Sequence, residues 1–200
     1  LWPLAAGVVF NLSNILLSAA IAVAGMSVAF PVGVGLALVG GTVFNYLIAP
    51  DGKPFGLIAA GLALIVVSIV CNAMAFKAKQ TGGRAAEGAP VRTGIGLALA
   101  VVAGLLMMWF SPLVNKVIDN AFTAEAPAAG LMTAYTAFFV FSIGVFLSNF
   151  LWNTIAMKKP VSGEPVKASA FFEGGFPIHL VGVLGGSIWG LGALLSFVTA

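Results

Sequence analysis

The sequence predicts an all-α fold, a polytopic bundle of six membrane-spanning helices, and three observations predict it. Of 200 residues, 60% are apolar and only 8% charged, where soluble domains carry about 45–50% and about 25%. Six apolar runs reach the ~20 residues that cross ~30 Å of hydrocarbon at ~1.5 Å per residue. None of them shows the two-residue alternation, about ten residues long, that marks a barrel strand. The same composition excludes a disordered chain, which is rich in charge. It also excludes collagen, because the 25 glycines have no three-residue period. The nine Lys/Arg behind the net charge of +3 form no basic face, so no nucleic acid partner is expected. The partner that this composition demands is the lipid bilayer.

The runs follow in order. The first, Leu4–Ala24, stops at Gly25. The second, Ser27–Ile48, contains Pro31 and closes on Pro50, Asp51, Gly52, Lys53 and Pro54, a turn cluster. The third, Phe55–Phe76, holds the single cysteine, Cys71, which reads as a small buried hydrophobe. The fourth, Gly94–Val117, contains Pro112, the fifth, Ala128–Met157, follows Pro127, and the sixth is Ile178–Ala200. Pro31 and Pro112 each remove a backbone donor within the bilayer. Both are expected to kink their helices, as moving or cavity-lining helices often are. Leu1 is not an initiator Met and no signal-peptide pattern opens the chain. The expectation is therefore a piece of a longer polytopic protein.

Charge orients the bundle. The loops after the first, third and fifth spans carry Lys77, Lys79, Arg84, Arg92, Lys158, Lys159 and Lys167, against only Lys53 and Lys116 on the opposite face. Seven against two in short loops is a positive-inside signal. Residues 77–93 and 158–176 are expected in the cytoplasm, and both chain ends on the other side of an inner cell membrane. The Thr81–Pro90 stretch is a polar linker, since it lacks the Gly-Lys-Ser/Thr ending of a phosphate loop.

Polar residues inside spans are costly unless they find a partner or a wet cavity. Gly7, Asn11, Asn14 and Ser18 fall on one face of span one, and Tyr135, Ser142, Asn149 and Asn153 on one stripe of span five. Such residues commonly bond neighbouring helices together. Two stripes with bulky amides at mid-depth favour a polar cavity instead. Asn suits a neutral solute, offering donor and acceptor without a buried charge. In span six, Gly182, Gly186 and Gly190 form a small-residue ridge read as a packing surface. Trp189 beside it is too deep for the interfacial belt and offers a flat wall for stacking. The candidate substrate-binding residues are Asn11, Asn14, Ser18, Tyr135, Ser142, Asn149 and Trp189.

Catalysis is not expected. Ser187 and His179 are eight residues apart on one helix, about 12 Å in rise, and cannot form a dyad. One His and one Cys give no metal-ligand cluster, and no cofactor is expected. All six carboxylates (Asp51, Glu87, Asp119, Glu125, Glu164 and Glu173) fall outside the spans. No acidic proton relay therefore enters the bilayer.

Spans one and six align at an offset of 175 residues (182 minus 7). Gly7-Val8-Val9 falls on Gly182-Val183-Leu184, Asn11 on Gly186 and Asn14 on Trp189. Weak symmetry of this kind, between helices of opposite sense, marks inverted-repeat transporters. Four stretches resemble the ureide permease family of the drug/metabolite transporter superfamily. They are Ala6–Val9 through Leu12-Ser13-Asn14, Gly41–Leu47, Phe110-Ser111-Pro112 with Asn115, and Tyr135–Phe139 with Phe141 and Ser142. The Gly185–Gly192 segment resembles the bacterial sugar-porter branch. The resemblance implies a ten-helix inverted-repeat carrier, of which this chain would hold helices three to eight. Residues 1–76 would end the first repeat, 77–93 form the cytoplasmic linker and 94–200 start the second repeat. The expected activity is secondary transport of a small polar, mostly uncharged metabolite, a sugar, a ureide or similar, by alternating access. A non-transporting membrane scaffold and an exporter of the same fold are the alternatives. The coupling ion, proton or sodium, and a homodimeric assembly stay open.

Overall fold

The structure is a computed structural model and describes residues 1–48, 54–81, 93–119 and 127–198. The expected linker residues 82–92, with Arg84 and Arg92, and the turn residues 49–53, with Lys53, lie outside the described residues. Seven α-helices are present among them: α1 (Trp2–Ala24), α2 (Met26–Ile48), α3 (Phe55–Thr81), α4 (Thr93–Met107), α5 (Phe110–Asn115), α6 (Ala134–Lys158) and α7 (Phe176–Val198). A short 3₁₀ turn, Ala168–Phe171, precedes α7. Six segments are long and apolar enough to cross a membrane, with α4 and α5 together making one of them, Gly94–Asn115. The all-helical polytopic bundle expected from the sequence is the fold observed.

Most helix ends fall within two residues of the apolar runs, and three larger differences each have a local cause. α6 begins at Ala134 rather than Ala128, because the Thr133 hydroxyl accepts from the Thr136 amide at 3.2 Å and caps the helix. The residues before it pair elsewhere: Met132 donates to the Val117 carbonyl at 2.8 Å and Asp119 to the Met132 carbonyl at 3.0 Å. The fourth run is broken at Met108–Trp109. Pro112 has no N–H to give the Met108 carbonyl and its ring crowds that carbonyl. Trp109 accordingly bonds back three residues, to Leu106 at 3.3 Å. Pro31, by contrast, sits inside α2, which continues on both sides of it. α3 runs on to Thr81, past Phe76, through the helix-favouring residues Lys77, Ala78, Lys79 and Gln80. Cys71 on α3 is exposed rather than buried. Although α3 packs on α2, with Ile69 against Gly35, no residue of its spanning window is buried.

The chain forms two compact units, residues 1–8 with 113–200 and residues 9–112. In the second unit, Ala20, Ala29 and Ala100 form a fully buried core, with Ile21, Val32 and Leu99 against it. Small residues make this possible. On α4, Gly96, Ala100 and Gly104 recur every four residues. A Cβ at Gly104 would lie 2.6 Å from the Gly33 carbonyl oxygen, and one at Gly96 would lie 3.0 Å from the Ala24 amide nitrogen. Close backbone approach gives membrane helices the dispersion contact that replaces a hydrophobic drive. α1 and α2 are joined by Gly25 alone, at φ +83°, with its N–H on the Ile21 carbonyl at 2.8 Å. In the first unit a Cβ at Gly7 would overlap the Phe141 carbonyl, and one at Gly144 the Leu4 carbonyl. There Lys116 lies 4.6 Å above the Trp2 ring, a cation–π contact.

Gly104→Ala is expected to destabilise the protein by about 1–3 kcal/mol through overpacking. Gly25→Ala should cost about 1–2 kcal/mol, because a side chain resists the left-handed conformation. Thermal unfolding in detergent measures both, and an unchanged Tm for Gly104→Ala would contradict the packing described.

Candidate functional site

The first unit contains a groove between α6 and α7 of about 720 Å³, within the range of small-molecule sites. From α6, Phe138, Phe141, Ser142, Val145, Phe146 and Asn149 line it, and from α7, Gly182, Gly186, Trp189 and Gly190. The α6 residues follow i, i+3, i+4, i+7, i+8 and i+11, a single helical face. The four α7 residues recur at the same kind of spacing. One end of the groove is closed by aromatic packing. Phe197, 5% exposed, meets Phe138 and Phe141 at ring distances of 5.4 and 5.3 Å.

Two polar side chains edge this apolar groove. Ser142 donates its hydroxyl proton to the Phe138 carbonyl at 2.8 Å, which leaves its oxygen as an acceptor. Asn149 accepts from the Asn153 amide through Oδ1 at 2.7 Å, so its own NH₂ is presented as donor. A donor and an acceptor about two turns apart (seven residues, ~10 Å) suit a solute with amide or hydroxyl groups at both ends. Trp189, half-exposed, supplies an indole face. Among the described residues no charged group lines the groove. Among the described residues no cluster of His, Cys, Asp and Glu has metal-binding geometry.

The structure thus brings together three of the candidate residues, Ser142, Asn149 and Trp189. Tyr135 stands in the first turn of α6, more than half exposed and outside the groove lining. Asn11, Asn14 and Ser18 belong to the other unit. There Asn11 is buried, Asn14 donates to the Phe10 carbonyl of its own helix at 3.2 Å, and Ser18 is exposed. Sequence reasoning missed Phe138, Phe141 and Phe146, although they extend the Ser142–Asn149 stripe at helical spacing. It also read Gly182, Gly186 and Gly190 as packing residues. A Cβ at any of the three would meet no described atom within 4 Å, so they widen the groove. A second polar contact lies in the other unit, where Asn45 donates to the Ser111 hydroxyl at 2.9 Å. Beside it Phe44 meets Trp109 at 4.5 Å. This joins the Gly41–Leu47 and Phe110–Pro112 stretches.

Comparison with known proteins bears on this geometry. The family model for ureide permease matches residues 71–200, which include both groove helices. The chain belongs to the ureide permease family. It is 29% identical to ureide permease 2 of Arabidopsis thaliana over 104 residues, 52% of this chain and 26% of that protein. With the probable ureide permease A3 of Vigna unguiculata the identity is 31% over 106 residues, covering 53% and 28%. Ureide permease 1 of Arabidopsis thaliana aligns at 22% identity over 211 positions, covering 82% and 54%. The chain spans between about a quarter and a half of the length of these relatives. No solved structure matches it. Family membership and the six apolar helices make this a multi-pass membrane protein.

Filling the groove is expected to be tolerated where packing is not. Gly186→Leu should change stability by less than about 0.5 kcal/mol, as at an open surface, whereas Gly144→Leu should prevent folding. Size-exclusion profiles and Tm distinguish them, and a Gly186→Leu protein as damaged as Gly144→Leu would contradict an open groove.

Proposed function

We propose that the full protein is a secondary carrier for a small uncharged solute of the ureide class, and that it works by alternating access. The observation that carries this is the α6–α7 groove, in which aromatic walls frame the Ser142 acceptor and the Asn149 donor without a charge. The relatives bear the name ureide permease, which supports the substrate class. In this reading Trp189 stacks on the solute. Asn11, Asn14 and Ser18 on α1 and Tyr135 on α6 serve it at other points of its path, and Pro31 and Pro112 give the moving helices their bends. The uncharged lining keeps desolvation cheap for a neutral guest. A sugar is the second reading, favoured by the half-exposed Trp189 face. The repeat units at 1–76 and 94–200 about the cytoplasmic linker 77–93 belong to the same proposal.

Uptake by the full-length protein in proteoliposomes tests it, using labelled ureides, sugars, nucleobases and organic cations. Saturable ureide uptake is expected, with at least a tenfold loss of kcat/KM in Asn149→Leu and a loss in Asn14→Leu. Wild-type protein that is folded yet transports none of the panel would instead support a scaffold. Orientation is tested separately in intact cells. A Ser162→Cys thiol should be shielded from a membrane-impermeant reagent and an Ala128→Cys thiol should react. The reverse pattern would overturn the cytoplasmic assignment of residues 158–176.

A further inference from the structure

Residues 159–175, between α6 and α7, fold back on the end of α6. The Val166 amide donates to the Met157 carbonyl at 3.0 Å, one residue inside the end of the apolar span that closes at Lys158. Gly163, at φ +82°, makes the reversal that brings the chain back. The 3₁₀ turn Ala168–Phe171 follows, tightened by Ala170 N–H on the Lys167 carbonyl at 3.0 Å and Phe172 N–H on the Ser169 carbonyl at 2.9 Å. Its far end is tied to α7. The Phe171 ring lies 4.7 Å from that of His179, the fourth residue of the helix, hence ~4.5 Å along it. The turn is therefore held beside the last turn of α6 and the first turn of α7, at the ends of two apolar spans.

There it presents apolar surface that the described residues leave bare. Phe172 is 83% exposed, Phe171 65% and Phe176 76%, and Phe171 and Phe172 meet edge to face at 5.5 Å. In water such a patch is unfavourable, whereas in the boundary between headgroups and acyl chains aromatic rings are stabilised. The same segment carries Lys158 and Lys159 at the end of α6 and Lys167 at the start of the turn, all exposed, with Glu164 and Glu173 leaving one surplus positive charge. Lysine stems can lie along the apolar surface while the ammonium reaches phosphate.

We propose that residues 166–176 form an interfacial anchor. Phe171 and Phe172 insert among the acyl chains of an anionic leaflet, and Lys158, Lys159 and Lys167 pair with lipid phosphates. The anchor fixes the hinge between the two groove helices to the bilayer surface. The occupant is lipid rather than another protein segment, because the segment combines exposed aromatic rings at the ends of two apolar spans with three exposed lysines and a surplus positive charge.

The test uses full-length protein, with Cys71 and any other native cysteine replaced, in nanodiscs of phosphatidylcholine containing phosphatidylglycerol. A nitroxide introduced through Phe172→Cys should collide more often with oxygen than with a water-soluble nickel chelate. One introduced through Ser162→Cys should show the opposite. Nickel access at position 172 equal to that at 162 would overturn the anchor. Shielding of position 172 from both quenchers, the mark of a protein cover, would overturn it too. The Lys158→Gln, Lys159→Gln, Lys167→Gln variant should lose at least twofold of the enrichment of phosphatidylglycerol over phosphatidylcholine among co-purified lipids. Unchanged enrichment would overturn the role of the lysines.

Discussion

Hydrocarbon offers no hydrogen bonds, so every polar group within a span must be satisfied by the protein itself, and much of this structure follows from that. Five polar side chains in the spans solve the problem locally, by donating to a carbonyl one turn back on their own helix. Asn14 uses Phe10, Asn72 uses Ser68, Ser142 uses Phe138, Thr154 uses Phe150 and Ser196 uses Gly192. Those five side chains can then pack or face lipid with the donated proton satisfied, whereas the buried Ser13 Oγ on α1 and Trp152 Nε1 on α6 have no hydrogen-bond partner among the described residues. A side chain satisfied this way still has lone pairs or amide protons to offer a guest. Ser142 keeps an acceptor in this way, and Asn149, which accepts from Asn153, keeps its NH₂ as donor at the groove edge.

The second constraint is the scarcity of hydrophobic drive between membrane helices, which makes close approach the source of packing energy. The chain uses one sequence pattern for two opposite ends. Gly96, Ala100 and Gly104 recur every four residues, and a Cβ at either glycine would strike backbone. Gly182, Gly186 and Gly190 recur at the same interval, and a Cβ there would meet nothing. In α4 the missing side chains admit another helix. In α7 they open space opposite the aromatic face of α6. Spacing identifies the face of a helix, but only the neighbours decide whether smallness serves contact or volume.

That contrast also marks what could be read from the sequence. The six spans were legible because apolar length is a one-dimensional property, set by bilayer thickness. Their ends were less so: Thr133 and Pro112 act through backbone hydrogen bonds, which override apolarity locally. Ser142, Asn149 and Trp189 stood out because polar or indole groups are rare at mid-span. Phe138, Phe141 and Phe146 did not, since a phenyl ring facing lipid and one facing a groove look identical in a chain this apolar. The α1 residues Asn11, Asn14 and Ser18 share a face by spacing, yet one is buried, one bonds its own helix and one is exposed. Periodicity could not separate those fates.

The central claim is that a ureide-class solute occupies the groove between α6 and α7. It is tested most directly by substrate protection. In full-length protein with other reactive cysteines removed, a thiol introduced through Gly186→Cys points into the open volume and should be alkylated readily. A transported ureide at saturating concentration should slow that alkylation several-fold, while a thiol introduced through Ser162→Cys should be unaffected. An alkylation rate at position 186 that does not change with substrate, in protein shown to transport it, would contradict the account.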